Sequence, residues 1–168
     1  KNVHRRLVET AQFVLDVMAE GGLEPKGRGV RTAQKIRLLH TTIRYHVKRA
    51  PTWRAEYGVP INQEDLAGTL LSFALLPSTV TKLGLDFTPQ EEAAFFHCWR
   101  VIGSILGIEE GILPRDVEDG KALWHAILAR HVAPSTAGHE LTGALLDYMK
   151  DRVPGKVFDG IPAMLMRE

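Results

Sequence analysis

One cysteine, Cys98, occurs in 168 residues, so no internal disulfide is available and a reducing compartment is permitted. Long hydrophobic runs are missing as well. The longest, LLSFALLP at 70–77, is far shorter than the roughly 18 apolar residues that a membrane-spanning helix needs. Charge of one sign does not dominate: 21 Lys and Arg against 20 Asp and Glu leave a net +1, so any basic function has to be local. Strand-like alternation is nearly absent, and so are internal repeats and low-complexity segments. The chain has no HExxH, CxxC, GxSxG, Walker loop or dinucleotide fingerprint, which removes support from hydrolase, NTPase and Rossmann readings.

What remains is helical periodicity in a chain that is 45% hydrophobic and 24% charged, the balance of one ordinary globular domain. RRLVETAQFVLDVMAEGG predicts an amphipathic helix on Leu7, Val8, Ala11, Val14, Leu15 and Met18, stopped by Gly21-Gly22. The next helix carries Ala33, Ile36, Leu39, Ile43 and Val47 and ends before Pro51. Asn62 caps QEDLAGTLLSFALL, with Glu64 and Asp65 near its positive end. Pro77-Ser78 breaks it, and a short helix follows to Leu83. Thr88-Pro89-Gln90-Glu91 is a capping box that opens EEAAFFHCWRVIGSILG, apolar enough to be central. Asp116 opens VEDGKALWHAILARH, and Ser135 or Thr136 opens a last long helix to about Arg152. The tail PGKVFDGIPAMLM reads as a loop and a short apolar helix. The expectation is an all-α, compact single-domain bundle of roughly six to eight helices over residues 1–168. A start at Lys1 without methionine and an end at Glu168 with no polar tail read as the ordered part of a longer protein.

QKIRLLHTTIRYHVKR, residues 34–49, puts Arg37, His40 and Arg44 three and four residues apart, on one helical stripe. His40 borders the apolar line and is either an axial metal ligand or a core histidine bonded to a backbone carbonyl, the commoner case for such spacing. No second ligand sits at zinc spacing. A lone histidine beside arginines suits haem, where one axial imidazole suffices and cations pair with propionates. Arg31, Lys35 and Lys48 read as a solvated face, whereas Arg37 and Arg44 adjoin the apolar line and need anionic or carbonyl partners. On the first helix Arg6 and Thr10 share a face that either edges a polar pocket or is plain surface, and Thr69 raises the same question. His97, His125, His131 and His139 have no metal spacing, and Cys98 reads as a packed core thiol.

Taken together, RRLVETAQFV, KIRLLHTTIR, PINQEDLAGTLLSFA, WRVIGSILGIEEGILPRD and ELTGALLDYM…IPAMLM resemble one family in its own order. It is the catalytic domain shared by rubber oxygenases (latex clearing proteins) and the membrane-associated oxygenase of mycophenolic acid biosynthesis. The resemblance implies a globin-like helical core around b-type haem. Its proximal iron ligand matches His40, and its flanking arginines match Arg37 and Arg44. Arg6 and Thr10 match pocket-lining residues, and Thr69 a threonine near the site. Glu9 is a departure: latex clearing proteins carry a distal lysine there, and a carboxylate is either a proton acceptor beside the iron or a solvent-facing charge. The implied function is a haem-dependent oxidoreductase using dioxygen on an apolar, isoprenoid-like or polyisoprenoid-like substrate. A helical protein that binds haem or a small ligand without catalysis is the alternative. A nucleic-acid regulator acting through residues 31–49 is disfavoured by the small net charge and by the lack of a turn-helix signature, so no nucleic-acid partner is expected. No transmembrane segment is expected in this stretch, and the cytoplasm is the expected location.

Overall fold

The computed structural model describes residues 3–81 and 84–150, and every regular element among them is helical. In chain order these are α1 (Val3–Met18), α2 (Arg28–Arg49), a 3-10 turn (Ala55–Tyr57), α3 (Gln63–Ala74), α4 (Leu76–Val80), α5 (Pro89–Leu106), α6 (Val117–His131) and α7 (Thr136–Lys150). They fall into two compact units, a larger one from Phe13 to Val132 and a smaller one that unites the first part of α1, to Gln12, with α7. In the smaller unit His4 and Tyr148 are hydrogen-bonded and their rings lie 5.5 Å apart.

Local chemistry fixes where the helices begin. Asn62 accepts from the Asp65 amide at 3.0 Å while Asp65 accepts from the Asn62 amide at 2.9 Å, a reciprocal cap at α3. Thr88 and Glu91 do the same at α5, and the bond from the Thr88 amide holds the Glu91 carboxyl below its ordinary value. Asp116 accepts from the Asp119 amide at 2.9 Å. Of the two candidates for the last cap, Ser135 is the one used: its hydroxyl accepts from the Gly138 amide at 3.0 Å.

In the larger unit α5 packs against α2, α3, α4 and α6. Its Trp99 is 2% exposed, stacks on Phe73 at 4.8 Å and meets the edge of Phe13 at 6.4 Å. Gly103 lets the helices approach closely, because a Cβ there would lie 2.7 Å from Leu70 and 2.8 Å from Leu113.

Several expectations about faces are corrected. The buried side of α1 is Phe13, Asp16 and Val17, while Leu7, Val8, Leu15 and Met18 are exposed. The apolar arc of this helix is broad, and the buried side lies at its edge beside the polar residues, not at its centre. The choice follows from Asp16, which is 8% exposed, pairs with Arg28 at 2.9 Å and accepts from Thr32 at 2.8 Å, tying α1 to α2. Leu39 is 53% exposed, since it sits about 100° around α2 from the packed line. Cys98 is exposed rather than packed, because Phe96 and Trp99 turn the buried face of α5 away from it. The break after α3 falls at Leu75, and Pro77 lies in the first turn of α4. Leu83, Arg152 and the 154–166 tail lie outside the described residues.

The Nε1 of Trp99 is shielded from solvent with no acceptor among the described residues. Trp99→Phe should therefore cost only about 1–2 kcal/mol, because lost packing is offset by removal of an unmatched donor. Trp99→Ala should cost about 3–5 kcal/mol. Urea denaturation of the two variants checks this, and equal losses would refute it.

Candidate functional site

The stripe of α2 that carries Arg37, His40 and Arg44 faces two backbone segments of the larger unit. Arg44, part-buried, donates from Nε to the Pro60 carbonyl at 3.2 Å and from Nη2 to the Ile61 carbonyl at 2.6 Å. Those carbonyls belong to the turn that leads into the Asn62 cap, and Ile61 has φ 53°. A β-branched residue in the left-handed region is strained, so the turn needs an external hold, and the guanidinium supplies it through two charge-assisted bonds. Seven residues earlier, the Arg37 guanidinium lies against Gly107, the C-cap of α5. Gly107 has φ 90°, so that position favours glycine, and the Arg37 guanidinium lies close above it.

His40 lies between these two arginines. It is half-buried, and its Nδ1 is shielded from solvent. The imidazole is thus held on a helix tied to the 60–61 turn through Arg44, whereas Arg37 is exposed and, contrary to the expectation from its place beside the apolar line, rests its guanidinium near Gly107 without a hydrogen bond among the described residues.

Gln63 completes the arrangement and has no counterpart in the sequence reading. Its amide donates to the Gly107 carbonyl at 3.2 Å and accepts from the Glu109 amide at 3.0 Å, clamping the turn on which Arg37 rests. Its partners are 44 and 46 residues away, so no local signal marks it. The sequence did mark Asn62 beside it, as a cap.

Other expected site residues lie elsewhere. Thr69 is exposed and its hydroxyl donates to the Asp65 carbonyl of its own helix at 2.9 Å. It lines an open groove of about 330 Å3 between α3 and α6, floored by Gly68, Trp124, Ile127 and Leu128. Glu64 at the rim of that groove meets Arg130 at 3.0 Å and His131 at 3.1 Å. His40, Arg37 and Arg44 are not among the groove's lining residues. Arg6, Glu9 and Thr10 are exposed on the first part of α1, in the smaller unit. Glu9 accepts from Arg5 Nε at 2.7 Å, and this hydrogen bond, more than the charge itself, raises the Arg5 pKa.

Among the described residues no three of His, Cys, Asp and Glu gather as a metal cage would require. No helix among them is long and apolar enough to cross a membrane.

Comparison with known proteins agrees with the resemblance drawn from the motifs. The family described as ER-bound oxygenase mpaB/B'/Rubber oxygenase, catalytic domain, matches residues 1–167. A rubber oxygenase of Streptomyces sp. (strain K30) is 26% identical over 145 residues, covering 84% of this chain and 36% of the relative. The chain thus spans about a third of the length of the curated relative it matches. No solved structure matches significantly. Helices as the only regular elements among the described residues, an intact Arg-x-x-His-x-x-x-Arg stripe that Arg44 ties to the 60–61 turn, and a family match over nearly the whole length lead to one conclusion: the chain belongs to the mpaB and rubber oxygenase catalytic-domain family.

Proposed function

We propose that the protein is a b-type haem oxygenase in which His40 is the proximal ligand and an apolar, isoprenoid-like compound is oxidised with dioxygen. The observation that carries the reading is the stripe itself: a half-buried imidazole with a shielded Nδ1, on a helix that Arg44 anchors to the 60–61 turn one turn further on, with the exposed Arg37 guanidinium one turn before it. The donor set fits the group. A bare ion would find one protein ligand here, whereas a porphyrin brings four nitrogens of its own and asks the protein for one.

In this reading the ring's other nitrogen, Nε2, is assigned to iron, while the shielded Nδ1 faces the protein. Arg37 is assigned to the anionic edge of the cofactor. Arg44 is a positioning residue, since its two nitrogens are spent on the 60 and 61 carbonyls. Bound haem supplies the capacity to activate dioxygen. The pocket roles of Arg6, Thr10 and Thr69 are carried over from the family pattern, and Glu9, where that pattern has lysine, is assigned none.

His40→Ala should weaken haem binding by more than the roughly 10–100-fold that loss of a supporting contact brings, with the helical circular dichroism unchanged and binding restored by added imidazole. Arg37→Ala should weaken it by only about 10–100-fold, the worth of one charge-assisted contact. Haem titration followed at the Soret band reads both. A His40→Ala protein with unchanged affinity and spectrum would remove the assignment.

Because Glu9 is held by Arg5, Glu9→Gln should leave the pH dependence of the ferric spectrum unchanged. A displaced profile would instead bring its charge close to the iron.

A further inference from the structure

The face of α2 that looks away from His40 has its own chemistry. The helix carries seven Lys and Arg and no Asp or Glu in 22 residues, in a chain whose net charge is only +1. Arg31, Lys35, Leu38, Tyr45 and Arg49 all lie roughly 140–180° around the helix from His40. Every one of them is exposed, Leu38 by 69% and Tyr45 by 54%. The Arg49 guanidinium lies 3.6 Å over the Tyr45 ring, so cation and aromatic form one unit. The loop after α2 extends this character. Trp53 and Tyr57 pack edge to face at 5.4 Å, and Tyr57 and Val59 are both exposed. The acid nearby, Glu56, is paired with Arg54 at 3.4 Å.

We infer that this outer face of α2, with the aromatic loop after it, docks on an anionic lipid bilayer surface. The cations supply long-range attraction to acidic headgroups, and their aliphatic stems let them reach upward while Leu38 enters the boundary between headgroups and acyl chains. Tyr45, Trp53 and Tyr57 carry the amphipathic rings that settle at headgroup depth. The alternative polyanion, nucleic acid, would use the cations and would leave Leu38 exposed, gaining nothing from it. A charged face with scattered rings makes the kind of contact that lies on the surface. The inference does not depend on haem. It is compatible with the proposed function, since an apolar substrate partitions into lipid.

The test is flotation of the purified protein with vesicles of phosphatidylcholine alone and of equal parts phosphatidylcholine and phosphatidylglycerol. Binding should require phosphatidylglycerol and fall as salt rises. Replacing Arg31, Lys35 and Arg49 together by Gln should cut partitioning on the order of a hundredfold, about fivefold per cation. Leu38→Ser should cut it several-fold at unchanged charge and leave the affinity for duplex DNA as it was. All four positions are exposed, so circular dichroism should match the wild type. Indifference to phosphatidylglycerol, no partitioning at all, retention by the triple variant, or insensitivity to Leu38→Ser would each overturn the inference. Binding to duplex DNA more tightly than to the acidic vesicles would assign the face to nucleic acid instead.

Discussion

Two bonds from Arg44 to the carbonyls of Pro60 and Ile61 hold together what the larger unit needs at its polar edge. Ile61 sits at φ 53°, a conformation that costs a β-branched residue of order 1–3 kcal/mol and persists only when neighbours over-determine it. The guanidinium on one side and the Asn62–Asp65 cap on the other do so. From that fixed turn α3 starts in a set direction. Its first residue, Gln63, then clamps the loop at Gly107 and Glu109, on which Arg37 rests. Arg44, the turn, the cap and the loop are one linked polar network beside the histidine. An arginine committed to carbonyls is a different object from an arginine waiting for an anion, and α2 carries one that is plainly of the first kind.

The two faces of α2 divide the labour. The inner face holds Ala33, fully buried, and partly buried Ile36, and it is tied to neighbouring backbone by Arg44. The outer face is cationic and partly apolar, with no acid on the helix to neutralise it. A helix that is polar on its outer side needs no such excess of one sign for solubility. The inner face therefore carries the argument about chemistry, and the outer one the argument about location.

How much of this was legible depended on distance along the chain. Thr88 to Glu91, Asn62 to Asp65 and Asp116 to Asp119 are each three residues apart, and local spacing is enough to read a cap. The three-and-four spacing of Arg37, His40 and Arg44 is of the same kind. Burial of α1 was not legible, because its apolar arc is broad and the choice of which edge goes in is made by Asp16 with Arg28 and Thr32, twelve and sixteen residues on. The exposure of Cys98 is hidden for a related reason: on a helix with few polar residues, composition argues for burial everywhere, and only the stacking of Trp99 on Phe73 decides which side goes in. Gln63 could not be found at all, since a neutral amide has no sequence signature until the loop it clamps is folded against it.

The central claim is that one histidine of the seven in this chain meets iron. Resonance Raman spectroscopy of the ferrous, haem-loaded protein reports an iron–imidazole stretch directly. The account predicts that this band is present in the wild type, survives replacement of each of the other six histidines in turn, and disappears in His40→Ala. A band that persists in His40→Ala and vanishes in another histidine variant would contradict it.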